Sequence, residues 1–507
     1  MTPNPNRWWT LACVAIGTFM LLLDITIVNV ALPAIQKSLH ASFTDLQWVV
    51  DAYALTLASL LLVSGSVADI IGRRRVFVIG LVLFSAASLG CGLAGSPTVL
   101  SVSRAVQGIG GAMLFATSLA LLAATFQGKE RGTAFGIWGA TIGGAVAIGP
   151  LVGGVLTDAF GWEWIFFVNV PIGIAAAFIT VAKVDESKDP STRRVDWLGA
   201  ATFSASLFML VLALIRGNDE GWSSALIVGL FAGSVLALLA FVLVERNSEA
   251  PMLDLTLFRN RTFAGASVVA FSLSASMFAM FLYIVLYIQN VLGFTPLQAG
   301  LRFLPLSLVS FFVAPVAGRA AERLPARVLL GGGMVVVGIG LLLMHGISDN
   351  SDWTTLLAGF VVAGAGIGCV NPNLAQAAIG VVDPRKSGMA SGINNTFRQV
   401  GIATGIAGLG AVFQSKVQAK VSAAVAHTPL AAHVKEIAHG IAAGGGQHAP
   451  GALKKVADDA FISGLNELFL IGAVVAFAGA LLGFVLVRQS DFVGHARQSP
   501  ESAPAAA

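Results

Sequence analysis

Charge is what this sequence has least of. Of its 507 residues only 11% are Asp, Glu, Lys or Arg, while 56% are apolar, and the mean hydropathy is +0.83. A soluble globular protein carries about a quarter charged residues, so a chain this long cannot cover a water-facing surface with so few. The scarcity excludes a soluble fold and leaves an all-α polytopic membrane protein. No basic stretch is long enough to track phosphates, so the net charge of +4 does not indicate nucleic acid. The three cysteines, Cys13, Cys91 and Cys369, lie in apolar runs without metal-ligand spacing and read as small packing residues. No Walker A phosphate loop is present, which excludes ATP as an energy source; neither cofactor nor metal is expected. A membrane enzyme would need clustered His or Asp, yet His40 and His345 stand alone. Glycine, by contrast, is abundant, with 57 residues, and small residues let membrane helices approach closely.

A spanning helix needs about 20 apolar residues. Runs of that length lie near 9–32, 47–67, 76–95, 98–125, 133–157, 163–182, 197–215, 224–244, 262–291, 297–317, 327–346, 354–381, 388–413 and 461–487, which makes about 14 spans by hydropathy. The first run is too long for a cleavable signal and lacks a small-residue cleavage site. With the N-terminus placed inside, the inner connections hold 20 Lys and Arg and the outer ones 7, of which 5 sit in one long loop. The positive-inside rule then puts both termini in the cytoplasm of a cell whose cytoplasmic (inner or plasma) membrane the chain crosses many times. The charged, Pro-containing stretch "KVDESKDPSTRRVDW" (183–197) reads as a linker. The expected division is a six-helix bundle over 1–182, a linker and two additional helices over 183–260, a second bundle over 261–487, and a cytoplasmic tail over 488–507. Residues 414–460 form a long outer loop, whose stretch "SKVQAKVSAAVAHTPLAAHVKEIAHGI" has weak helical periodicity and is expected to fold as a short helical hairpin on the membrane surface. Its histidines, His427, His433 and His439, read as solvated rather than metal-binding.

An internal repeat supports two bundles. "GTAFGI" (132–137) returns as "GMASGI" (388–393), 256 residues later, and the same offset pairs Gly108, Gly110 and Gly149 with Gly364, Gly366 and Gly405. The turns "GKER" and "DPRK" precede the matching helices. A fainter copy pairs Gly65 and Asp69 with Gly318 and Glu322. Repeats around a midplane site are how secondary transporters achieve alternating access.

Between the second and third spans, "GSVADIIGRRR" (65–75) sets an acid four residues after a glycine, then a turn glycine, then three arginines. It resembles the signature loop of the major facilitator superfamily, Gly-x-Leu-Ala-Asp-Arg-x-Gly-Arg-Arg. Gly65, Ala68, Asp69, Gly72, Arg73 and Arg74 match; Val67 replaces Leu, and Ile70 replaces an Arg that bears on one gating salt bridge. "LDITIVNVALP" (23–33) and "LQWVVDAYAL" (46–55) are similar to the first two helices of the 14-helix drug:proton antiporters, the EmrB/QacA-type branch. "RAVQGIGGAM" (104–113) resembles the fourth-helix motif of that branch, and "WEWIFFVNVPIG" (162–173) its sixth, with Glu163 in place of an Arg. "GAVAIGPLVGG" (144–154) resembles the antiporter motif of the fifth helix, with Ala145 in place of its first Gly; Gly149, Pro150, Gly153 and Gly154 are its conformational residues. The resemblance implies a major facilitator fold, two six-helix bundles with two inserted helices. It also implies export of hydrophobic, alternatively cationic, small molecules, driven by protons moving across the lipid bilayer. A dedicated exporter of one endogenous metabolite or antibiotic is the alternative, and a membrane enzyme or sensor a remote one.

The residues point the same way by depth. Asp24 lies about eight residues from the outer end of the first span and Arg104 about seven into the fourth, both roughly 10–12 Å below the outer edge. An acid and a base at one level in neighbouring helices pair, and intramembrane charges face a cavity or a partner. Burial and a guanidinium act on such a carboxylate in opposite senses, which is the balance a proton carrier needs. Asp51 lies one turn shallower, as a second proton carrier or a charge for cations. Asn394, Asn395 and Arg398 share one turn, as a substrate contact or a structural cluster. Arg302 is expected to snorkel outward. Asn29 and the ninth span, with Met277, Phe278, Tyr283 and Tyr287, complete the candidate substrate contacts, since Met and aromatic side chains suit hydrophobic or cationic molecules.

Overall fold

The computed structural model describes residues 6–126, 128–188, 196–248, 251, 253–321, 323–382, 387–426, 433–442 and 452–492, and among them the regular structure is entirely helical. In chain order the long helices are α1 (Arg7–Leu39), α2 (Phe43–Ile71), α3 (Arg73–Gly92), α4 (Pro97–Thr125) and α5 (Gly128–Phe160). They continue with α6 (Trp164–Lys183), α7 (Trp197–Glu220), α8 (Ala225–Asn247), α9 (Arg261–Val291), α10 (Pro296–Ala320) and α11 (Ala326–Met344). The last are α12 (Leu357–Gly380), α13 (Ser387–Val425) and α14 (Ala452–Leu486). Among the described residues, 12 of them are long and apolar enough to cross a membrane, or 13 with α2, whose two segments meet at 51°. α5 is a further helix of 33 residues. The chain is a multi-pass membrane protein.

Local chemistry sets where these helices begin. Ser42 and Asp45 form a capping box at α2, Thr295 and Gln298 do so at α10, and Pro97 and Pro296 occupy first-turn positions that need no N–H donor. Gly72, at φ +121°, makes the sharp break between α2 and α3. Lipid-facing positions stay apolar: Leu236, Leu239 and Leu243 of α8 are all more than half exposed.

The repeat read from glycine spacing is a repeat of contacts. A Cβ on Gly110 of α4 would meet the backbone of Phe84 and Gly80 in α3; on Gly366 of α12 it would meet Val337 and Gly333 in α11. Gly108 faces α2 at Tyr53 and Thr56, and Gly364 faces α10 at Leu306. Gly149 of α5 faces Thr26 of α1, and Gly405 of α13 faces Ala275 of α9. Each pair therefore does the same job in its own half, bringing two helix backbones together where any side chain would hold them apart.

The halves meet along α2 with α13 and along α5 with α10. The described hydrogen bonds that join them lie at the end of the bundle away from Arg7 and Leu486, here called the far end. Gln47 Nε2 donates to the Ile406 carbonyl (3.3 Å) and Gln289 Nε2 to the Val30 carbonyl (2.7 Å). Gly154 abuts Leu297 and Gly300 abuts Pro150 across the same seam. Helices α7 and α8 are clamped by a reciprocal pair, each of Ser206 and Ser234 donating to the other's carbonyl at 2.9 Å. α7 touches both halves: Phe208 lies against Trp48 of α2 (ring centroids 6.2 Å), and Asn218 Nδ2 donates to the Ala411 carbonyl of α13 (2.6 Å).

One expectation needs correction. The outer loop does not start at 414, because "SKVQAKVSAAV", rich in good helix formers, extends α13 to Val425. Beyond it the described structure holds a nine-residue helix, Val434–Ala442, which packs against α13 and is docked through Ala438, Ile441 and Ala442. His439 in it pairs with Asp219 of α7 (2.9 Å); His427, residues 443–451, the turn "DPRK" and linker residues 189–195 lie outside the described residues. Arg302, as expected, turns back toward the start of α10: its Nη1 donates to the Gln298 carbonyl (2.9 Å) and its guanidinium lies over the Phe294 ring (3.4 Å to its centroid) beside Trp353, a cation–π arrangement at the far end.

Candidate functional site

Asp24 and Arg104 meet. Each is 1% exposed, and Arg104 Nη1 donates to Asp24 Oδ2 at 2.5 Å. Gln107, one turn along α4 from Arg104, binds both partners: its Nε2 donates to Asp24 Oδ1 (2.8 Å) while its Oε1 accepts from Arg104 Nη1 (2.6 Å). Asn169 of α6 reaches Asp24 Oδ1 (3.5 Å), and both Gln107 and Asn169 donate to Ser88 Oγ of α3 (3.0 Å each). Arg104 also donates through Nε to the Val49 carbonyl of α2 (3.0 Å) and lies over the Tyr53 ring at 4.2 Å. Five helices, α1, α2, α3, α4 and α6, thus share one buried network around the ion pair. A buried ion pair of this kind is held by its extra hydrogen bonds, since Coulomb attraction alone barely offsets the loss of water. Gln107, Asn169, Ser88 and Tyr53 were not legible as partners. All but Ser88 lie inside motifs quoted above, but only the fold shows that they gather at the ion pair.

Asp51 is fully buried, and among the described residues neither carboxylate oxygen has a hydrogen-bond partner. One turn before it, Gln47 holds the Ile406 carbonyl, which also accepts from Tyr283 Oη (2.9 Å). Asp51 is therefore sealed at the closed far end, between α2 and the second half, where no space is left beside it for a cargo molecule.

The expected substrate contacts divide. Met277, Tyr283 and Tyr287 are at most 1% exposed and hold helices together in this conformation; the Phe278 side chain lies outside the described residues. Asn394 is a structural residue here, donating to the Ala266 carbonyl (3.4 Å). Asn29 does face a narrow gap, which Thr26, Pro150, Phe281, Phe303 and Ser307 also line. Asn395 and Arg398 are part-exposed on α13. α9 is interrupted by π-helical turns at Ser274–Phe278 and Tyr287–Val291, a feature that recurs at functional sites.

The signature loop is built as expected and has one unexpected partner. Arg73 bonds Asp69 at 2.9 Å, one helical turn apart. Glu186 of the linker caps α3, accepting from the backbone N–H of Arg74 (2.9 Å) and of Arg75 (3.3 Å), and Arg74 Nη1 donates to the Val184 carbonyl (3.1 Å). An acid at a helix N-terminus is favourable, and a side chain on Gly72 would strike that same carboxylate. Gly65 has open space around it. In α5, Gly149 and Gly153 pack on Thr26 and Ile27 of their own half, whereas Gly154 meets the other half at Leu297. Gly149 is thus not the residue on which the two halves bear, because the five residues from Gly149 to Gly154 turn the two to different neighbours.

Known proteins share this sequence and fold. The sequence pattern of the Major Facilitator Superfamily matches residues 14–406. Multidrug resistance protein Stp of Mycobacterium tuberculosis is 38% identical over 418 residues, 82% of this chain and 78% of that protein. The tetracenomycin C resistance and export protein of Streptomyces glaucescens is 32% identical over 511 residues, 98% of this chain and 94% of its own. The crystal structure of a bacterial homolog of the human lysosomal transporter Spinster, inward-facing and occupied, superposes with a TM-score of 0.64 at 16% identity over 96% of this chain and 98% of that one. With its all-helical fold, its paired halves and these relatives, the chain is a transporter, not an enzyme, and belongs to the Major Facilitator Superfamily.

Proposed function

We propose that the protein exports hydrophobic small molecules, drugs or antibiotics among them, in exchange for protons, with Asp24 as the proton-carrying group. The observation that carries this reading is the buried Asp24–Arg104 pair and its one-sidedness. The offset that takes Gly110 to Gly366 takes Arg104 to Phe360, and the one that takes Thr26 to Ala275 takes Asp24 to Leu273. The second half thus repeats the packing but puts two buried apolar residues where the first has a charge pair. Packing alone did not require the charges. A proton on Asp24 removes the charge that Arg104 answers, and Arg104 also holds the Val49 carbonyl and Tyr53, so α1, α2 and α4 respond together. Relatives named for resistance to puromycin and methylenomycin support a drug cargo. The Lys and Arg bias supports cytoplasmic termini in the cytoplasmic membrane, which makes the closed far end the outer one. On this reading α5 is the fourteenth span, and the two bundles are joined by the linker and α7–α8.

The test is proton flux into liposomes containing the purified protein, with and without an exported compound. Compound-dependent proton movement that vanishes in Asp24→Asn supports the exchange; export with no accompanying proton movement overturns it. Asp51 gives a second expectation. Since no cargo fits beside it in the closed state, Asp51→Asn is expected to slow export of neutral and cationic compounds alike, by about tenfold or more, rather than cations alone. Removing a cation's charge partner would cost cations about 1–4 kcal/mol and neutral compounds almost nothing. Transport rates for one compound of each kind in the same variant decide.

A further inference from the structure

The second half contains a charge without a partner. Arg398, eleven residues into α13, makes no hydrogen bond and no ion pair among the described residues, and its Nε is shut off from solvent. Buried oxygens of Asn371 in α12 and of Thr396 and Gln399 in α13 are also unpartnered. Asn371 is nine residues from the end of α12 at Gly380, and Arg398 eleven from the start of α13 at Ser387. At 1.5 Å per residue both lie about 14–16 Å into the bilayer, on helices that touch each other. Arg398 and Asn371 are part-exposed at that depth. No counter-ion is at hand: the described carboxylates in the helices of this half are Asp458, Asp459 and Glu467 towards the far end of α14, and Glu467 is bound to Lys416 at 2.8 Å. Asp51 does not serve either, forming no ion pair although α2 and α13 pack together. An intramembrane guanidinium is costly and is kept where it meets a substrate path or a partner, and its planar fork matches an oxyanion in a way an ammonium does not.

Resting on the export reading above, we propose that Arg398 docks the anionic group of the cargo, a carboxylate, phenolate or sulfonate. The transported class is then amphipathic aromatic acids rather than cations, for Asp24 is already paired and Asp51 is sealed. The probes are 8-anilinonaphthalene-1-sulfonate, its uncharged parent N-phenyl-1-naphthylamine, and the cation tetraphenylphosphonium, with binding to the purified full chain measured by equilibrium dialysis. The wild type is expected to hold the sulfonate roughly tenfold or more tighter than the neutral parent. Arg398→Gln is expected to erase that ratio without weakening the neutral compound, and Arg398→Lys to keep part of it. Unchanged binding of the neutral parent shows that the variants are folded. The proposal is overturned if the wild type shows no preference for the sulfonate, if it prefers tetraphenylphosphonium, if it binds none of the three, or if Arg398→Gln retains the preference. Proton-coupled export of the neutral parent, followed separately, keeps the two readings apart. If it persists while the sulfonate preference is absent, the docking role falls and the exchange stands; if it is absent while the preference holds, the reverse applies.

Discussion

Asp24→Asn is expected to reduce export to the level of empty membranes while the protein still inserts. The amide keeps the shape and the contacts to Gln107 and Asn169, but it cannot lose a proton. It also leaves Arg104 buried without its counter-charge, a loss of about 3–5 kcal/mol when one member of a buried pair is removed, so the thermal midpoint falls as well. The double variant Asp24→Asn with Arg104→Gln separates these effects. It removes both charges, so it is expected to regain much of the thermal stability and none of the export. Melting in detergent and transport in vesicles at matched protein amounts check both. Wild-type export by either variant would sink the assignment of Asp24.

Gly154→Leu is expected to hold the far end apart. A Cβ there would lie 2.7 Å from the Leu297 Cα and the Pro296 carbonyl oxygen of α10, closer than any real packing allows, and both obstacles are backbone. The closed state is lost unless α5 and α10 separate, and overpacking costs typically about 1–3 kcal/mol even in forgiving cores. Spin labels across the far end are expected to report longer distances, and export to fall to a small fraction of wild type. Gly149→Leu makes the matched control, since it strikes Thr26 within its own half and is expected to lower the amount of folded protein without favouring the open far end. Unaltered label distances in Gly154→Leu would show that this seam does not close the transporter.

The sequence carried the membrane class, most span limits and the glycine repeat because these rest on local composition and on spacings along one helix. Asp24 and Arg104 were legible as a pair because each is a lone charge in an apolar run, and depth in a bilayer follows from counting residues. Gln107 and Asn169 were not, since an amide in a helix has no preferred reading until its facing neighbours are known. Glu186 shows the same limit: it lies 112 residues from Arg74, whose backbone N–H it accepts, and no periodicity links a linker acid to a distant helix start. Tyr283 and Met277 show a different limit. Aromatic and thioether side chains suit a drug site and a tight helix seam equally well, and in this conformation both are buried between helices. The extension of α13 to Val425 was missed because hydropathy marks where a helix leaves the bilayer, not where it stops being a helix.

The position of α7 breaks the equivalence of the two halves. Its contacts with Trp48 on one side and Ala411 on the other wall off the α2–α13 seam from the surrounding lipid, while the α5–α10 seam has no inserted helix over it. A near-twofold skeleton therefore presents one shuttered flank and one bare one to the surrounding lipid.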